Sequence, residues 1–168
     1  MDGLMQEYPL TLPMIFRRAE RLFADKKVTS VDHVGRSQRS VGEWCERTRR
    51  LAGALDELGV SEDGRVGTFA WNNARHLECY FGVPCAGRVL HTLNVRLFAD
   101  QLSYIVSHAG DEVIFVDRSL LAVLWPLVDG LRSVRRYVVM DDGAGDLPDD
   151  PRLVDYEDLL AASSPVDL

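Results

Sequence analysis

Apolar and polar residues alternate along the chain in blocks whose spacing predicts alternating strands and helices. In the clearest block, apolar runs at Val89–Leu93 and Val113–Val116 enclose a helical pattern at Ala99–Gly110. Within that pattern, four apolar side chains recur on one helix face, at Leu102, Ile105, Val106 and Ala109. Parallel strands need a crossover connection of about this length. The block therefore predicts a strand–helix–strand unit.

The same unit repeats along the chain. Apolar runs recur every 23 or 24 residues and begin at Val66, Val89, Glu112 and Arg136. Further helical patterns fill the intervals at 74–87 and 119–131, where Pro84 and Pro126 are expected to kink or shorten the helices. Such a rhythm predicts an α/β fold with a mostly parallel sheet, right-handed crossovers and helices on its faces.

Before the repeats, the pattern predicts a helix, a β-hairpin and a second helix. The first helix covers Thr11–Lys26, and its apolar stripe is formed by Leu12, Ile15, Phe16, Ala19, Leu22 and Phe23. Alternating residues at Val28–Val34 predict one hairpin strand, and a second strand ends near Ser40. There an S-x-x-E capping box, Ser40 with Glu43, predicts the start of a helix that Gly59 ends.

Composition and charge narrow the class of protein. The 168 residues are 46% hydrophobic and 27% charged, typical of one globular domain. Residues 141–168 hold nine acidic side chains against Arg152 alone, so most of the net charge of −7 lies there. We expect an acidic loop in this segment, followed by a short helix at Tyr156–Ala162. The near-neutral remainder offers no basic face for nucleic acid.

Six arginines fall close together in the sequence but belong to the polar faces of the two N-terminal helices. They are Arg17, Arg18, Arg21, Arg47, Arg49 and Arg50. Charge runs of this kind usually form a solvated helix face, and this is the interpretation that we favour.

The sequence also bears on the compartment. No uncharged apolar run is long enough to cross a bilayer, and the first residues do not form a secretory signal. Three cysteines without framework spacing fit a reducing environment better than a disulfide-linked secreted domain. We therefore expect a cytoplasmic protein without a transmembrane segment.

Polar residues at the strand ends are the first candidates for a functional site. Ligands bind at the carboxyl ends of parallel strands, and the residues found there are Asn72, Asn94, Asp117 and Asp141. They could surround a ligand. The alternative, which we favour, is that each caps the following helix or begins its turn, as Asn and Asp commonly do.

The other candidate residues and motifs give little indication of a metal site or a catalytic site. His76, Cys79, Cys85 and His91 match no short zinc signature, and buried cysteines that behave as small apolar residues explain them better. Neither a nucleophile elbow nor a glycine-rich phosphate loop is present, and the GAG at 143–145 lies among aspartates that would repel a phosphate. From residues alone we predict no catalytic, cofactor-binding or metal-ligating residue.

Three stretches nevertheless carry a family resemblance. RVGTFAWN at 65–72, GRVLHTLNVRL at 87–97 and QLSYIVSHAGDEVIFVD at 101–117 together resemble the N-terminal region of AMP-forming acyl-CoA synthetases. The second and third stretches are most similar to medium- and long-chain fatty-acyl-CoA ligases. The similarity covers nearly the whole chain but only about the first third of such an enzyme.

The resemblance implies a two-step reaction. ATP and a fatty acid give an acyl-adenylate and pyrophosphate, and the thiol of CoA then displaces AMP. ATP, Mg²⁺ and CoA are thus implied for the intact enzyme, whereas residues 1–168 form a single incomplete domain without the family's phosphate loop or catalytic lysine. We expect this part alone to bind no cofactor and to be inactive. The resemblance and the uncovered apolar surface of an incomplete domain both favour a homodimer.

Two alternatives stay open at this point. The chain could be a stand-alone flavodoxin-like α/β module for binding or dimerisation, because one fold hosts many functions. It could also be the N-terminal part of a ligase for another carboxylic acid, such as a short or sulfur-containing one.

Overall fold

The computed structural model describes Gly3 and residues 7–168, and the α/β fold predicted from the sequence is confirmed. The helices and strands, in chain order, are α1 (Leu12–Phe23), β1 (Lys27–Val31), β2 (Arg36–Ser40), α2 (Val41–Glu57), β3 (Arg65–Phe69), α3 (Ala74–Cys85), β4 (Val89–Thr92), α4 (Ala99–Ala109), β5 (Val113–Asp117), α5 (Leu121–Leu124), β6 (Arg136–Met140), β7 (Leu153–Asp155) and α6 (Tyr156–Ala162). Within the described residues, no helix is both long and apolar enough to cross a membrane.

The main sheet is parallel throughout and has the strand order β4-β3-β5-β6-β7. After β3 the chain moves outward to β4, whereas after β5 it moves in the opposite direction to β6. The connections that follow β3 and β5 therefore diverge. In open α/β sheets such a divergence opens a crevice at the carboxyl ends of the two strands. The carboxyl ends of β3 and β5 are therefore the candidate position for a ligand site in this sheet.

Both faces of this sheet are covered by helices. On one face, α2, α3 and α6 pack against strand residues such as Val66 and Phe115. On the other face, α4 and the segment around α5 pack against Ile114 and Val116. Alternate residues of β5 thus enter opposite cores, and all five of its residues are buried. This explains why β5 reads as a continuous apolar run rather than an alternating one.

The local signals at the helix ends are confirmed. Ser40 Oγ accepts a hydrogen bond from Glu43 N at 3.1 Å, and the Glu43 carboxylate accepts one from Ser40 N at 2.6 Å. Hydrogen bonds to the carboxylate from Ser40 N and from Ser40 Oγ lower the pKa of Glu43. Gly110 ends α4 with a φ of +70°, in the left-handed region that a residue without a Cβ adopts at little cost. The hairpin of β1 and β2 is also confirmed.

Two elements differ from the sequence prediction. Residues 119–131 do not form one helix. They form the single turn α5 between the short 3₁₀ turns Arg118–Leu120 and Trp125–Leu127, because Pro126 has no N–H for a continuous ladder. Strand β7 was not predicted at all. It is only three residues long, and its pairing with β6 makes it a strand.

The sequence analysis interpreted the six arginines as part of a solvated helix face. This interpretation is wrong for some of them. Arg18 and Arg21 are exposed, as expected. Arg47, however, lies between two carboxylates, with its guanidinium 2.7 Å from Glu78 and 2.7 Å from Glu157.

Helix α1 does not bury its apolar stripe as an amphipathic helix usually does. Of the stripe residues, only Phe16 is fully buried.

Candidate functional site

The crevice between β3 and β5 is closed by the carboxylate of Asp117. This residue ends β5, and its Oδ2 accepts a hydrogen bond of 2.7 Å from the backbone N–H of Trp71, which follows β3. The side-chain amide of Asn73 donates to both carboxylate oxygens, at 3.1 and 3.2 Å. Asp117 therefore ties the loop after β3 to the end of β5.

Burial gives the carboxyl of Asp117 an unusually high pKa. Asp117 is fully buried, and removal from water raises its pKa to about 6. The hydrogen bonds from Trp71 and Asn73 favour the ionised form but only partly offset burial, and the nearby Asp142 adds repulsion. A carboxyl of this kind gains and loses its proton near neutral pH.

A second layer of polar contacts continues from Trp71. Its indole Nε1 donates to Ser119 Oγ at 3.0 Å, and Ser119 in turn donates from its backbone N–H and its hydroxyl to the carboxylate of Asp142. The Nε2 of His33, from the hairpin, lies 3.9 Å from Asp142. The indole of Trp71 is thereby held in one orientation while much of its surface stays exposed at the sheet edge.

This arrangement positions side chains but does not form a nucleophilic triad. The hydroxyl of Ser119 donates directly to Asp142, so no imidazole stands between them to accept its proton. His76 is also engaged. Its Nδ1 donates to the Trp71 carbonyl, so its Nε2 accepts from the Thr68 hydroxyl at 3.0 Å, and burial lowers its pKa. What the crevice can do chemically is hold the indole and exchange one proton at Asp117.

The four residues predicted at the strand ends do not converge. Asn94 and Asp141 begin local turns, accepting hydrogen bonds from Arg96 N and Gly143 N respectively, as the capping interpretation expects. The cap of α3 is Asn73, which accepts from His76 N, rather than the exposed Asn72. For Asp117 the capping interpretation is wrong, because its side chain makes no cap hydrogen bond to the turn that follows.

Several residues of the crevice were missed from the sequence: Trp71, Asn73, Ser119 and Asp142. Each lies one or two positions beyond a strand end or beyond a residue already singled out there. They would have been found if the residues one or two positions further along the chain after each strand had also been considered. Their mutual pairing joins residues 23 to 48 positions apart and has no local signal.

The candidate metal ligands are dispersed. Cys79 is in the core between α3 and the sheet, Cys85 packs beside Trp44, and His91 pairs with Asp111 through Nδ1 at 2.9 Å. Burial raises the pKa of both thiols, which keeps them in the neutral form. Among the described residues, no three His, Cys, Asp or Glu side chains are grouped to hold a metal ion.

A buried ionic network, also missed from the sequence, connects three helices on one side of the sheet. Glu78 of α3 is fully buried. Its carboxylate accepts hydrogen bonds from the guanidinium groups of Arg39 and Arg47 and from the hydroxyl of Tyr156. Burial alone would raise the pKa of Glu157, but hydrogen bonds from Arg47 and Arg75 outweigh it and lower that pKa. This network links α2, α3 and α6 on that side of the sheet.

The crevice residues do not fit Mg²⁺ or the phosphates of ATP. The oxygens of Asp117 and Asp142 already accept hydrogen bonds from protein donors, so they offer no free carboxylate pair to a cation. The strand-to-helix turn after β3 places Trp71, Asn72 and Asn73 where a phosphate loop would need small residues.

Comparison with known proteins identifies the family. A family described as AMP-binding enzyme matches residues 16–162. The chain is 38% identical over 162 residues to the 3-methylmercaptopropionyl-CoA ligase of Ruegeria lacuscaerulensis, covering 95% of this chain and 30% of that protein. It is 42% identical over 141 residues to the long-chain-fatty-acid–CoA ligase of Thermus thermophilus, covering 83% and 26%.

The fold agrees with this result. The acetoacetyl-CoA synthetase of Streptomyces lividans superposes with a TM-score of 0.78 at 20% identity, over 95% of this chain and 26% of that one. The chain thus spans less than a third of the length of these relatives. The resemblance to AMP-forming acyl-CoA synthetases is confirmed by the family match and by both sequence relatives. The chain belongs to the AMP-binding enzyme family.

Proposed function

We propose that this chain is the N-terminal part of a fatty-acyl-CoA ligase. Such an enzyme joins a fatty acid carboxylate to the α-phosphate of ATP and releases pyrophosphate. The CoA thiol then attacks the acyl carbonyl and AMP leaves. The observation that carries the proposal is the 42% identity to the Thermus thermophilus long-chain-fatty-acid–CoA ligase.

In this proposal the chain supplies structure rather than catalytic groups. Asp117, Asn73 and Ser119 hold the loop after β3 and the indole of Trp71 at the sheet edge where ligands of α/β folds bind. Their hydrogen-bonding groups are used within the crevice. ATP, Mg²⁺ and CoA would therefore be held by residues outside this chain.

The first prediction is that the 168-residue chain alone does not activate fatty acids. Pyrophosphate release from ATP and a fatty acid should remain at background, because the part of the chain that the structure describes has no glycine-rich loop whose backbone N–H groups could surround the phosphates. Calorimetric titration with ATP should show no binding up to millimolar concentration, weaker than about −4 kcal/mol. Turnover above a heat-denatured control would contradict the proposal.

A second acid is favoured by one specific observation. The relative from Ruegeria lacuscaerulensis, 38% identical over 95% of this chain, is a ligase for 3-methylmercaptopropionate by name. The two candidates are separated by measuring kcat/KM for the complete protein encoded by the reading frame that contains this chain, over fatty acids of increasing length and 3-methylmercaptopropionate. A preference for the sulfur-containing acid would overturn the fatty-acid assignment. A reading frame without any ligase activity would favour a binding module.

A further inference from the structure

Residues 163–168, which we call the strap, follow α6 and lie against α2 without forming a helix or a strand. Two arginines of α2 donate hydrogen bonds to backbone oxygens of the strap: Arg50 to Ser163 at 2.9 Å and Arg49 to Val166 at 3.2 Å. In return, the backbone N–H of Val166 donates to the carbonyl of Arg49 at 3.2 Å. The strap is therefore bound through its backbone along one side of α2.

A glycine in the middle of α2 allows the backbone of the strap to come this close. A Cβ on Gly53 would overlap the backbone oxygen of Ser164 and would touch the side chain of Val166. Glycine is unfavourable inside a helix because it loses more backbone freedom on folding than other residues. At Gly53, α2 gives up helix propensity at the place where the strap lies against it.

Arg49 connects the strap to α1. Besides holding the strap, its guanidinium donates to both carboxylate oxygens of Glu20 on α1, at 2.8 and 3.2 Å. Its guanidinium carbon also lies 5.4 Å from the centre of the Phe16 ring. From the α1 side, Arg17 donates to the backbone oxygen of Leu168 in the strap at 2.7 Å. The strap and α1 therefore hold each other as well as α2.

Apolar packing follows the same arrangement. Leu168 is buried in one cluster with Phe16 of α1 and Trp44 of α2, and Val166 packs against this cluster. Because Phe16 is the one buried residue of α1, this cluster is the main apolar attachment of the helix. The strap fills part of the space on which the docking of α1 depends.

We propose that α1 and the strap form a latch, in which α1 stays docked on α2 only while the strap lies against Gly53. The shared contacts are Arg49 and the cluster that contains Phe16 and Leu168. A displacement of the strap would be transmitted to α1 through these contacts, and the two segments would leave α2 together. The proposal goes beyond the ligase function and does not depend on which acid is activated.

Hydrogen exchange of backbone amides in the whole 168-residue chain tests the latch. Gly53→Ala displaces the strap while giving α2 a better helix former. We expect the protection of the α1 amides and of the Val166 amide to fall together by at least about tenfold, whereas the amides of β5 should change by less than about twofold. If the strap did not need this glycine, the same substitution would raise the protection of α2.

Two further variants make the test specific. Gly42→Ala is the matched control in the same helix, because its Cβ would lie at an ordinary distance of 3.6 Å from the backbone oxygen of Ala24, and it should leave both segments unchanged. Glu20→Gln weakens the contact of Arg49 from the α1 side. Because coupling is reciprocal, it should lower the protection of the Val166 amide by about threefold. This variant also decides the matter if the first one does not fold.

Three results would overturn the proposal. Faster exchange at Val166 with α1 unchanged would show that the strap leaves alone. Full protection of both segments in Gly53→Ala would show that the close approach of the strap does not matter for docking. An equal loss of protection in β5 would show that α1 and the strap open only with the whole sheet.

Discussion

At the scale of single residues, the buried carboxyl of Asp117 sets a pH dependence of stability. Its pKa is about 6 in the folded chain, against an ordinary value of 3.8. Between these values the folded chain keeps a proton that the unfolded chain has released. The stability that Asp117 contributes is therefore fully present below pH 3.8 and is lost as the pH rises through 6.

The variant Asp117→Asn should remove this component. Between pH 4.5 and 5.5 we expect the free energy of unfolding of the parent to fall by about 1 kcal/mol per pH unit relative to the variant. Urea unfolding of both proteins at several pH values measures the difference. Asp100→Asn, at an exposed position in α4, is the matched control and should run parallel to the parent. Parallel curves for Asp117→Asn would show that the carboxyl is ionised throughout.

Trp44 is the second residue whose role can be isolated. Its ring packs edge-on against Phe81, with centroids 5.2 Å apart, and beside Phe16. Trp44→Ala should lower the free energy of unfolding by about 3–5 kcal/mol. Trp44→Phe should cost much less, because the indole N–H of Trp44 has no hydrogen-bond partner among the described residues. Denaturant melts decide this, with Arg132→Ala as a control expected to change little; equal melts for Trp44→Ala and the parent would contradict it.

At the scale of elements, Arg47 joins α2 to α3 and α6. Arg47→Ala would leave the fully buried Glu78 with fewer opposite charges, which typically costs about 3–5 kcal/mol. This replaces the expectation from the sequence that Arg47 is solvated. Glu46→Ala is the matched control, because it breaks an exposed pair with Arg50 on the same helix, which is worth less than about 0.5 kcal/mol. Unfolding curves in urea should separate the two variants clearly; similar curves would contradict the expected role of Arg47.

Most elements could be predicted from the sequence because their signals are local. The capping box at Ser40 and the left-handed Gly110 lie within the helices that they begin or end. Strand β7 escaped prediction because three residues carry no usable periodicity, and its pairing partner β6 supplies the reason for its conformation. The helix expected over 119–131 is shortened at Pro126, as its missing N–H led us to expect, but more strongly than the apolar spacing suggested.

The candidate site was less predictable. The strand-end rule located the correct edge of the sheet, yet it did not show that Asp117 pairs with a loop 46 residues earlier in the chain. Cap preferences favoured a local partner for Asp117, and tertiary contacts supplied a distant one. Similarly, the buried partner of Arg47 lies 31 residues away, so a helical wheel alone placed that arginine in solvent.

At the scale of the whole molecule, the homodimer stays a prediction. One edge of the parallel sheet is β4, where Val89 is exposed and one side of the backbone has no strand neighbour among the described residues. Such edges pair readily with a second copy. Sedimentation velocity over a hundredfold concentration range should show a dimer, which Val89→Lys should weaken and Val123→Lys, on α5, should not. A monomer at all concentrations would contradict the prediction.

The strand order also determines how long β3 lacks its inner sheet neighbour while the chain is being synthesised. Val113 of β5 pairs beside Val66 of β3 but is made 47 residues later. At ribosomal rates of about 5–20 residues per second, β3 waits roughly 2–10 s for its inner neighbour. During that time β4 is the only strand of the described sheet beside β3, although α2 and α3 can already cover Val66 on one face. A nascent chain halted before β5 should therefore be captured by chaperones, and one released beyond β6 should escape them.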